Sequence, residues 1–544
     1  MSSSALDPAA LPLWHAALLA LPALATGLAA LACGPSRGAD AAWRTVRGAA
    51  GLALAAAMAS LAAVLLGGGG SGFGLRGDAA GGIVLVLVAF VGLAIARYSA
   101  PYLDGQPGLE RYARWLAATL AAVALVVVTD HLLVLAFAWT AASVSLHRLL
   151  IFFDHRPAAV LAAHKKRIAG RVADVCMLGA VALLYLAFGT AHIGELVGRA
   201  AEAPGLPASA QLAMVLVASA ALLKCAQLPF HGWLIQVMEA PTPVSALLHA
   251  GVVNLGGFVL IRLAPLLAES LAAQALLVAV GTFTAVVAAL VMTTRISIKV
   301  ALAWSTCAQM GFMLMQIGLG ACEMALLHLV AHSLYKAHAF LGAGGAVRAT
   351  TLARMAPSEG APGAGRILAG LALGATAVAL AALAWSPWLH PTPTLATLAA
   401  IVVLALVPLG RPMAAGALAR TGLGALALAL AWFGLHAALA GRLVAAGEPA
   451  APRWAIAALG FAVLFALQCA VQAAPRGALA RRLYPWFYGG LFLDERVSRA
   501  AFRLWPPPAP AAPPAAAAMH AIPVTVQAPH VPHVAQTAPS LGAR

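Results

Sequence analysis

Apolar runs of about twenty residues follow one another along almost the whole chain, and they limit its possible folds more than any other feature. An α-helix rises about 1.5 Å per residue, so each run is long enough to cross a hydrocarbon layer about 30 Å thick. Inside that layer every backbone polar group needs a partner within the protein, which favours helices. Only 9% of the 544 residues are charged, against about 25% in soluble domains. The sequence therefore predicts an all-α polytopic membrane protein.

We count about fifteen such runs and expect about 14–16 transmembrane helices. The first run lacks a preceding basic segment and a clear cleavage site, so we interpret it as a retained helix rather than a signal peptide. The runs cover residues 11–33, 47–66, 81–96, 113–128, 132–153, 172–188, 211–238 (interrupted), 244–267, 272–292, 298–319, 322–347, 367–385, 395–407, 422–439 and 454–473.

The chain carries a formal net charge of +16, which raises the question of nucleic-acid binding. Much of the basic excess lies in predicted loops such as 164–171 and 476–482, where the positive-inside rule explains it and suggests a cytoplasmic side. We therefore expect contact with membrane lipid and no nucleic acid. The six cysteines are scattered without a C-x-x-C motif, so we expect neither an iron–sulfur cluster nor another cofactor in this chain.

Lys224 lies well inside the run 211–238, where an ionisable group is costly unless it is paired or hydrated. Pro229 has no amide hydrogen for the Cys225 carbonyl, so we expect the helix to break just after Lys224. Transporters build ion sites from broken helices with an ionisable group at the break. The alternative is a lysine at a helix end that reaches for lipid headgroups.

Other ionisable groups follow Lys224 along the chain. His249 lies within the next run, which favours a functional role. His231 and Glu239 fit a functional and a structural role equally well. Lys299 begins the run 298–319, so a side chain that reaches for the membrane surface explains it as well as a place on an ion pathway does.

His328, His332 and Lys336 recur at intervals of four residues and so share one face of a helix. Imidazoles titrate near pH ~6.5 and pass protons through either nitrogen, which suits stepwise proton transfer. Two histidines at this spacing also bind zinc in other proteins. The neighbouring ammonium and the lack of a Cys or carboxylate on this face disfavour a metal, so we predict none.

Three motifs resemble the antiporter-like membrane subunits of NADH-quinone oxidoreductase, in its L subunit, and of Mrp-type cation/proton antiporters. They are K-x-A-Q-L-P-x-x-x-W-L-x-x-x-M-E-x-P-T-P-V-S-A-L-x-H-A at 224–250, I-K-x-x-L-A-x-S-T-x-x-Q-x-G at 298–311 and H-L-x-x-H-x-x-x-K-A at 328–337. The first is long and gapless, which makes it specific. The resemblance covers residues 111–347 and implies inverted helical repeats.

Within this family, the resemblance implies that Lys224 is the central lysine of a broken helix. It also implies that a hydrophilic axis continues through His249, His328, His332 and Lys336.

Two positions depart from the family pattern. The family carries a Trp-Glu pair whose glutamate partners the central lysine, but this chain reads Trp139-Thr140. Asp130, Asp174 and Glu239 are the candidate carboxylates to replace that glutamate. The run 367–385 lacks the Lys or acidic residue that the family usually places there.

Residues 147–178, HRLLIFFDHRPAAVLAAHKKRIAGRVADVCML, resemble the short family members known as DabB, the membrane subunit of an inorganic carbon accumulation system. The resemblance implies a partner, DabA, that is similar to a zinc carbonic anhydrase and holds the zinc. It further implies a multi-pass subunit of the bacterial inner membrane, not itself an enzyme. Its H⁺ or Na⁺ flux would drive that partner to convert carbon dioxide to bicarbonate. A proton-pumping subunit of a quinone-reducing complex, an Mrp-type antiporter subunit and a passive membrane anchor are the alternatives.

The chain thus divides into five predicted regions. Residues 1–110 form N-terminal transmembrane helices, 111–347 the cation-translocating core and 348–475 C-terminal transmembrane helices. Residues 476–505 mix arginine, aromatic and leucine residues, and we expect them to lie along the membrane interface or to dock on a partner. Residues 506–544 are rich in proline and alanine and are predicted to be disordered.

Overall fold

The computed structural model describes residues 11–34, 38–203, 205–345, 364–410, 415–439 and 451–507. Two short strands, β1 (Gly70–Gly72) and β2 (Leu75–Gly77), form an antiparallel hairpin. The helices are α1 Leu13–Ala32, α2 Ala39–Gly67, α3 Ala79–Tyr102, α4 Leu109–Val128, α5 Leu132–Leu150, α6 Pro157–Phe188, α7 Ile193–Glu202, α8 Ala208–Lys224, α9 Gly232–Gln236, α10 Thr242–Ala250, α11 Leu255–Arg262, α12 Ala264–Ala268, α13 Leu271–Met292, α14 Ile298–Gly318, α15 Cys322–Leu341, α16 Ala364–Trp385, α17 Pro393–Leu406, α18 Ala415–Leu439, α19 Ala451–Ala473, α20 Ala478–Tyr488 and α21 Leu493–Leu504.

The predicted all-α membrane fold is confirmed, and each predicted run contains helix. In the described ranges, twelve helical segments are long and apolar enough to cross a membrane by length and composition. The other three runs are α8 and α17, which are shorter apolar helices, and α15, whose histidines, Lys336 and Glu323 make it more polar. Residues 508–544, which include most of the predicted disordered tail, lie outside the described residues.

The predicted break after Lys224 is confirmed, because α8 ends at that residue. Pro229 cannot donate to the Cys225 carbonyl, and the side chain of Gln227 supplies the missing hydrogen bond, with Nε2 2.8 Å from that oxygen. The backbone N–H of Leu228 donates to Thr284 Oγ1 at 3.2 Å. The chain then continues as the short helix α9. Side chains therefore satisfy the backbone groups that the break frees.

A second break interrupts the run 244–267, which we had predicted to be continuous. Helix α10 ends at Ala250, and a single 3₁₀ turn, Val252–Asn254, leads into α11. Asn254 supports this turn: its Nδ2 donates to the Ala250 carbonyl at 3.2 Å and to Ser333 Oγ at 2.7 Å. The amide of an asparagine within an apolar run thus allows the backbone to leave the helix.

Helix α6 corrects the prediction that residues 164–171 form a loop. The whole stretch belongs to α6, a helix of 32 residues that is about 48 Å long. This length exceeds the hydrocarbon layer, about 30 Å thick, so one end of the helix extends beyond it. The basic residues therefore lie on a helix rather than between helices, which brings some of them into the protein interior.

The C-terminal helices dock on this same chain. Lys165 Nζ of α6 lies 2.9 Å from Asp494 of α21, and Gln236 of α9 donates to the same carboxylate at 3.0 Å. Arg295 donates to the carbonyls of Phe487 and Tyr488 at the end of α20. The outer face of α21 carries exposed arginines at 496, 499 and 503. The segment 476–505 thus covers the half-helix after the break and leaves a basic face outward.

Helices α13 and α14 pack with their backbones in direct contact. A Cβ atom at Gly281 would lie 2.6 Å from the Gly311 carbonyl oxygen and 2.8 Å from the Met315 nitrogen. A Cβ atom at Gly311 would lie 2.6 Å from the Gly281 carbonyl oxygen. Only glycine, which has no Cβ atom, allows two helix backbones to come this close. Membrane helices commonly associate through small residues at such contacts.

We predict that Gly281→Ala lowers the free energy of unfolding by about 1–3 kcal/mol, because the new methyl group forces α13 and α14 apart. Gly51→Ala is the matched control, since its added methyl group meets no atom within 4 Å. It should be neutral or stabilise by up to about 1 kcal/mol. Unfolding of the detergent-solubilised protein measures both. Equal effects of the two substitutions would contradict this close packing.

Candidate functional site

The amine of Lys224 lies inside the protein beside a carboxylate. Its Nζ atom is 3.4 Å from Asp174 Oδ1 of α6, and the two side chains are 11% and 7% exposed. The same nitrogen donates to the Trp139 carbonyl at 3.2 Å and lies 4.6 Å from the centre of the Trp139 ring. In this arrangement Lys224 ends a helix but turns inward to a charge partner rather than outward to lipid headgroups.

The three candidate carboxylates lie in three different places. Asp174 is the one that contacts Lys224. Asp130 lies between α4 and α5, where it accepts from the Gly194 amide at 3.1 Å and lies 4.0 Å from Arg76. Burial raises the pKa of the Asp130 carboxyl, although Arg76 opposes that shift. Glu239 is half-exposed and lies 3.9 Å from Arg156.

A second buried lysine, Lys166, shares this site, although its run of basic residues predicts a loop. Its side chain is 4% exposed and donates to the carbonyl and the hydroxyl oxygen of Ser143. Lys166 and Lys224 line one small cavity of about 20 Å³. Arg171 also reaches Asp174, at 3.0 Å. Asp174 therefore contacts two cationic groups, Lys224 and Arg171, while Lys166 is held by Ser143. A positive charge on one of the two lysines disfavours a positive charge on the other.

His249 lies at the end of α10, directly before the second break. It is fully buried and stacks on the Phe340 ring, with the ring centres 4.4 Å apart. Neither of its ring nitrogens has a partner in the part of the chain that the structure describes. Its carbonyl oxygen accepts from His332 Nε2 of α15 at 3.2 Å. This hydrogen bond thus links the end of α10, at the second break, to the histidines of α15.

The three residues predicted to share one face of α15, namely His328, His332 and Lys336, lie in different surroundings. The rings of His328 and His332 are 6.1 Å apart, and His328 Nδ1 is 3.0 Å from Gln316 Oε1. Lys336 is fully buried and donates to the Leu302 carbonyl at 3.1 Å. In the described residues, no group of three or more His, Cys, Asp or Glu side chains is arranged to hold a metal ion.

Two sequence candidates lie near Trp304 and Thr242 instead. Lys299 donates to Thr242 Oγ1 at 2.8 Å, at the start of α10. His231 is buried against the Trp304 ring, with the ring centres 4.8 Å apart. The structure places neither in contact with Lys224 or with the histidines of α15.

Unpaired polar atoms mark a path between these groups. Both nitrogens of His249, Nε2 of His328 and Oδ1 of Asn254 are buried without a partner among the residues described. Buried polar atoms nearly always have a hydrogen-bond partner, so such a row indicates sites for water. Two cavities of about 20 Å³ flank the second break, one lined by Lys224 and Val252, the other by Asn254 and Ser333. Each has room for about one water molecule.

Comparisons with known proteins show the family of this chain. The family model "NADH:quinone oxidoreductase/Mrp antiporter, TM" matches residues 129–440. The probable inorganic carbon transporter subunit DabB of Hydrogenovibrio crunogenus is 44% identical over 434 residues, which cover 78% of this chain and 82% of that protein. The chain belongs to the NADH:quinone oxidoreductase/Mrp antiporter family, in its DabB branch. It is therefore a multi-pass membrane subunit of that family.

More distant members share the fold over part of their length. NADH-quinone oxidoreductase subunit L of Mycobacterium tuberculosis is 35% identical over 281 residues, which cover 51% of this chain and 44% of that subunit. A chain of the Mrp complex from Dietzia sp. has a TM-score of 0.54 at 23% identity, covering 93% of this chain and 58% of its own length. The latter likeness supports the fold alone.

We predict that Asp174→Asn lowers the free energy of unfolding by about 3–5 kcal/mol, because it leaves the buried Lys224 ammonium without its carboxylate. In the double variant Asp174→Asn with Lys224→Met, much of this loss should return. A double-mutant cycle in detergent should give a coupling energy of about 1–3 kcal/mol. Additive effects of the two changes would show that the pair does not interact.

Proposed function

We propose that this chain translocates cations, H⁺ or Na⁺, across the bacterial inner membrane. Their flux would energise the uptake of carbon dioxide and bicarbonate by a DabA-like partner with its own zinc site. The observation that carries the proposal is the buried Lys224–Asp174 pair at the end of a broken helix. A buried ionisable pair in a membrane is costly, and transport is the usual reason for it. The DabB relative supports the inorganic carbon substrate.

In this proposal the chain's own residues carry the ion in steps. Lys224 holds a proton beside Asp174 and releases it toward the second break. His249 and His332 receive it, and His328 and Lys336 continue the path along α15. A break in a helix suits such a role, because the short segments α9 and α10 change their tilt more easily than a continuous helix does. Coupling to the partner requires that the two proteins switch between two states together.

The second candidate function is a proton-pumping subunit of a quinone-reducing complex or of an Mrp-type antiporter. The 35% identity to an NADH-quinone oxidoreductase subunit favours it. The two functions predict different companions. Purification of the chain from its native membrane should yield a large zinc-containing subunit for inorganic carbon uptake, whereas iron–sulfur and flavin subunits would support the alternative.

We predict that Lys224→Ala reduces bicarbonate accumulation at least about tenfold, because it removes the group that carries the proton. The measurement is uptake of labelled inorganic carbon by cells that lack other carbonic anhydrases and carry this chain with its partner. Arg97→Ala is the control, since Arg97 is an exposed cation on α3. A passive anchor would instead leave uptake by the Lys224→Ala variant at the control level while the complex still assembled.

A further inference from the structure

A large basic cavity lies between α5 and α6, beside the Lys224 cluster. Its volume is about 540 Å³. Exposed residues line its outer part: Arg148, Asp154, Arg167 and Arg171. Buried Ser143 and Lys166 lie at its inner end. The cavity therefore leads from the protein surface to the amine of Lys166.

Lys166 and Ser143 also line the small cavity that contains Lys224. The large and the small cavity share only these two of their lining residues. Hydrogen bonds to Ser143 hold Lys166 Nζ at the boundary of the two cavities. Asp174, the partner of Lys224, follows Lys166 by eight residues on the same helix, or about 12 Å along its axis. An ion that moves from the surface to Lys224 by this route must pass Lys166.

The charges of the large cavity oppose metal cations. Three guanidinium groups and the Lys166 ammonium face one carboxylate, Asp154, among the described residues that line it. Rings of fixed positive charge favour anions and repel cations in pores. A sodium ion would also need several oxygen ligands, and the Arg171 guanidinium and Lys224 already engage the nearby Asp174.

A proton, unlike Na⁺, needs no set of oxygen ligands in this cavity, because water and titratable side chains pass it on by exchanging bonds. His147 lines the cavity, and its buried Nδ1 has no partner within the described ranges. His164 is already engaged, since its Nε2 bonds the Trp505 carbonyl and its Nδ1 bonds Arg167. His147 is therefore the lining imidazole that keeps one ring nitrogen without a hydrogen-bond partner among the described residues.

We infer that this cavity is the entrance of the cation pathway, that Lys166 relays protons between it and Lys224, and that Na⁺ is excluded there. The inference rests on the proposed function and names its ion. In each step the Lys166 ammonium gives one proton to the neutral amine of Lys224 through a water in the small cavity. Neutral Lys166 then takes one proton from a water of the large cavity, and bulk water at the cavity mouth restores that proton. One charge crosses per cycle, and no group gains or loses electrons.

The test is ion flux in liposomes that contain the full chain together with its native companion. Proton flux is followed with an internal pH dye, and sodium flux with a radioactive tracer. Lys166→Met should lower proton flux at least about tenfold. Lys166→Arg should lower it equally, because arginine keeps the charge and its bond donors but does not release a proton near neutral pH. Arg97→Ala, which removes an exposed cation from α3, should retain flux within about twofold of the wild type.

The outcomes separate the two proposals. Wild-type liposomes that carry neither ion would overturn the proposed function and this inference with it. Wild-type proton flux that persists in Lys166→Met, or that Lys166→Arg restores, would overturn the relay alone. Sodium flux as fast as proton flux would overturn the exclusion of Na⁺. If Lys166→Met does not assemble, the folded Lys166→Arg variant decides the relay on its own.

Discussion

A buried ammonium group in a membrane protein persists only beside a group that offsets its charge, and the centre of this structure is arranged around that cost. Lys224, at the end of α8, contacts the Asp174 carboxylate on α6 and the Trp139 carbonyl on α5. Three helices therefore meet at one amine. The family places its glutamate next to the tryptophan of this contact, but here that position is Thr140. In this chain Asp174, on the neighbouring helix α6, is the carboxylate that contacts the amine.

The two helix breaks follow from the same need for polar groups inside the protein. Each break frees backbone groups, and in each case a side-chain amide donates to a freed carbonyl, Gln227 to that of Cys225 and Asn254 to that of Ala250. This is the condition under which irregular backbone is tolerated at membrane depth. The breaks lie on either side of α10, and His249 lies in the last turn of α10, between the Lys224 site and the histidines of α15. The polar path therefore runs where the backbone is least regular, and the surrounding long helices keep it apart from lipid.

The sequence predicted the parts of this structure that follow from local chemistry. Apolar runs marked the helices, and the missing amide hydrogen of Pro229 marked the break after Lys224. Which carboxylate reaches Lys224 depends on how α6 packs against α8, so the sequence leaves Asp130, Asp174 and Glu239 all as candidates. Lys166 was missed because the run His-Lys-Lys-Arg fits the pattern of a cytoplasmic loop, although it lies on a helix that turns one lysine inward. The second break was missed because Asn254 is a single polar residue within an apolar run, and its partner Ser333 lies on another helix.

Chemical modification of the five lysines of this chain measures the burial on which all of this depends. The protein in native membranes is treated with a water-soluble acylating reagent, and mass spectrometry gives the rate at each lysine. The structure predicts that Lys224 and Lys336 remain unmodified while the half-buried Lys299 at the start of α14 reacts. Acylation of Lys224 at the rate of Lys299 would show that its amine meets bulk water or lipid headgroups, which would contradict a carrier held inside the membrane.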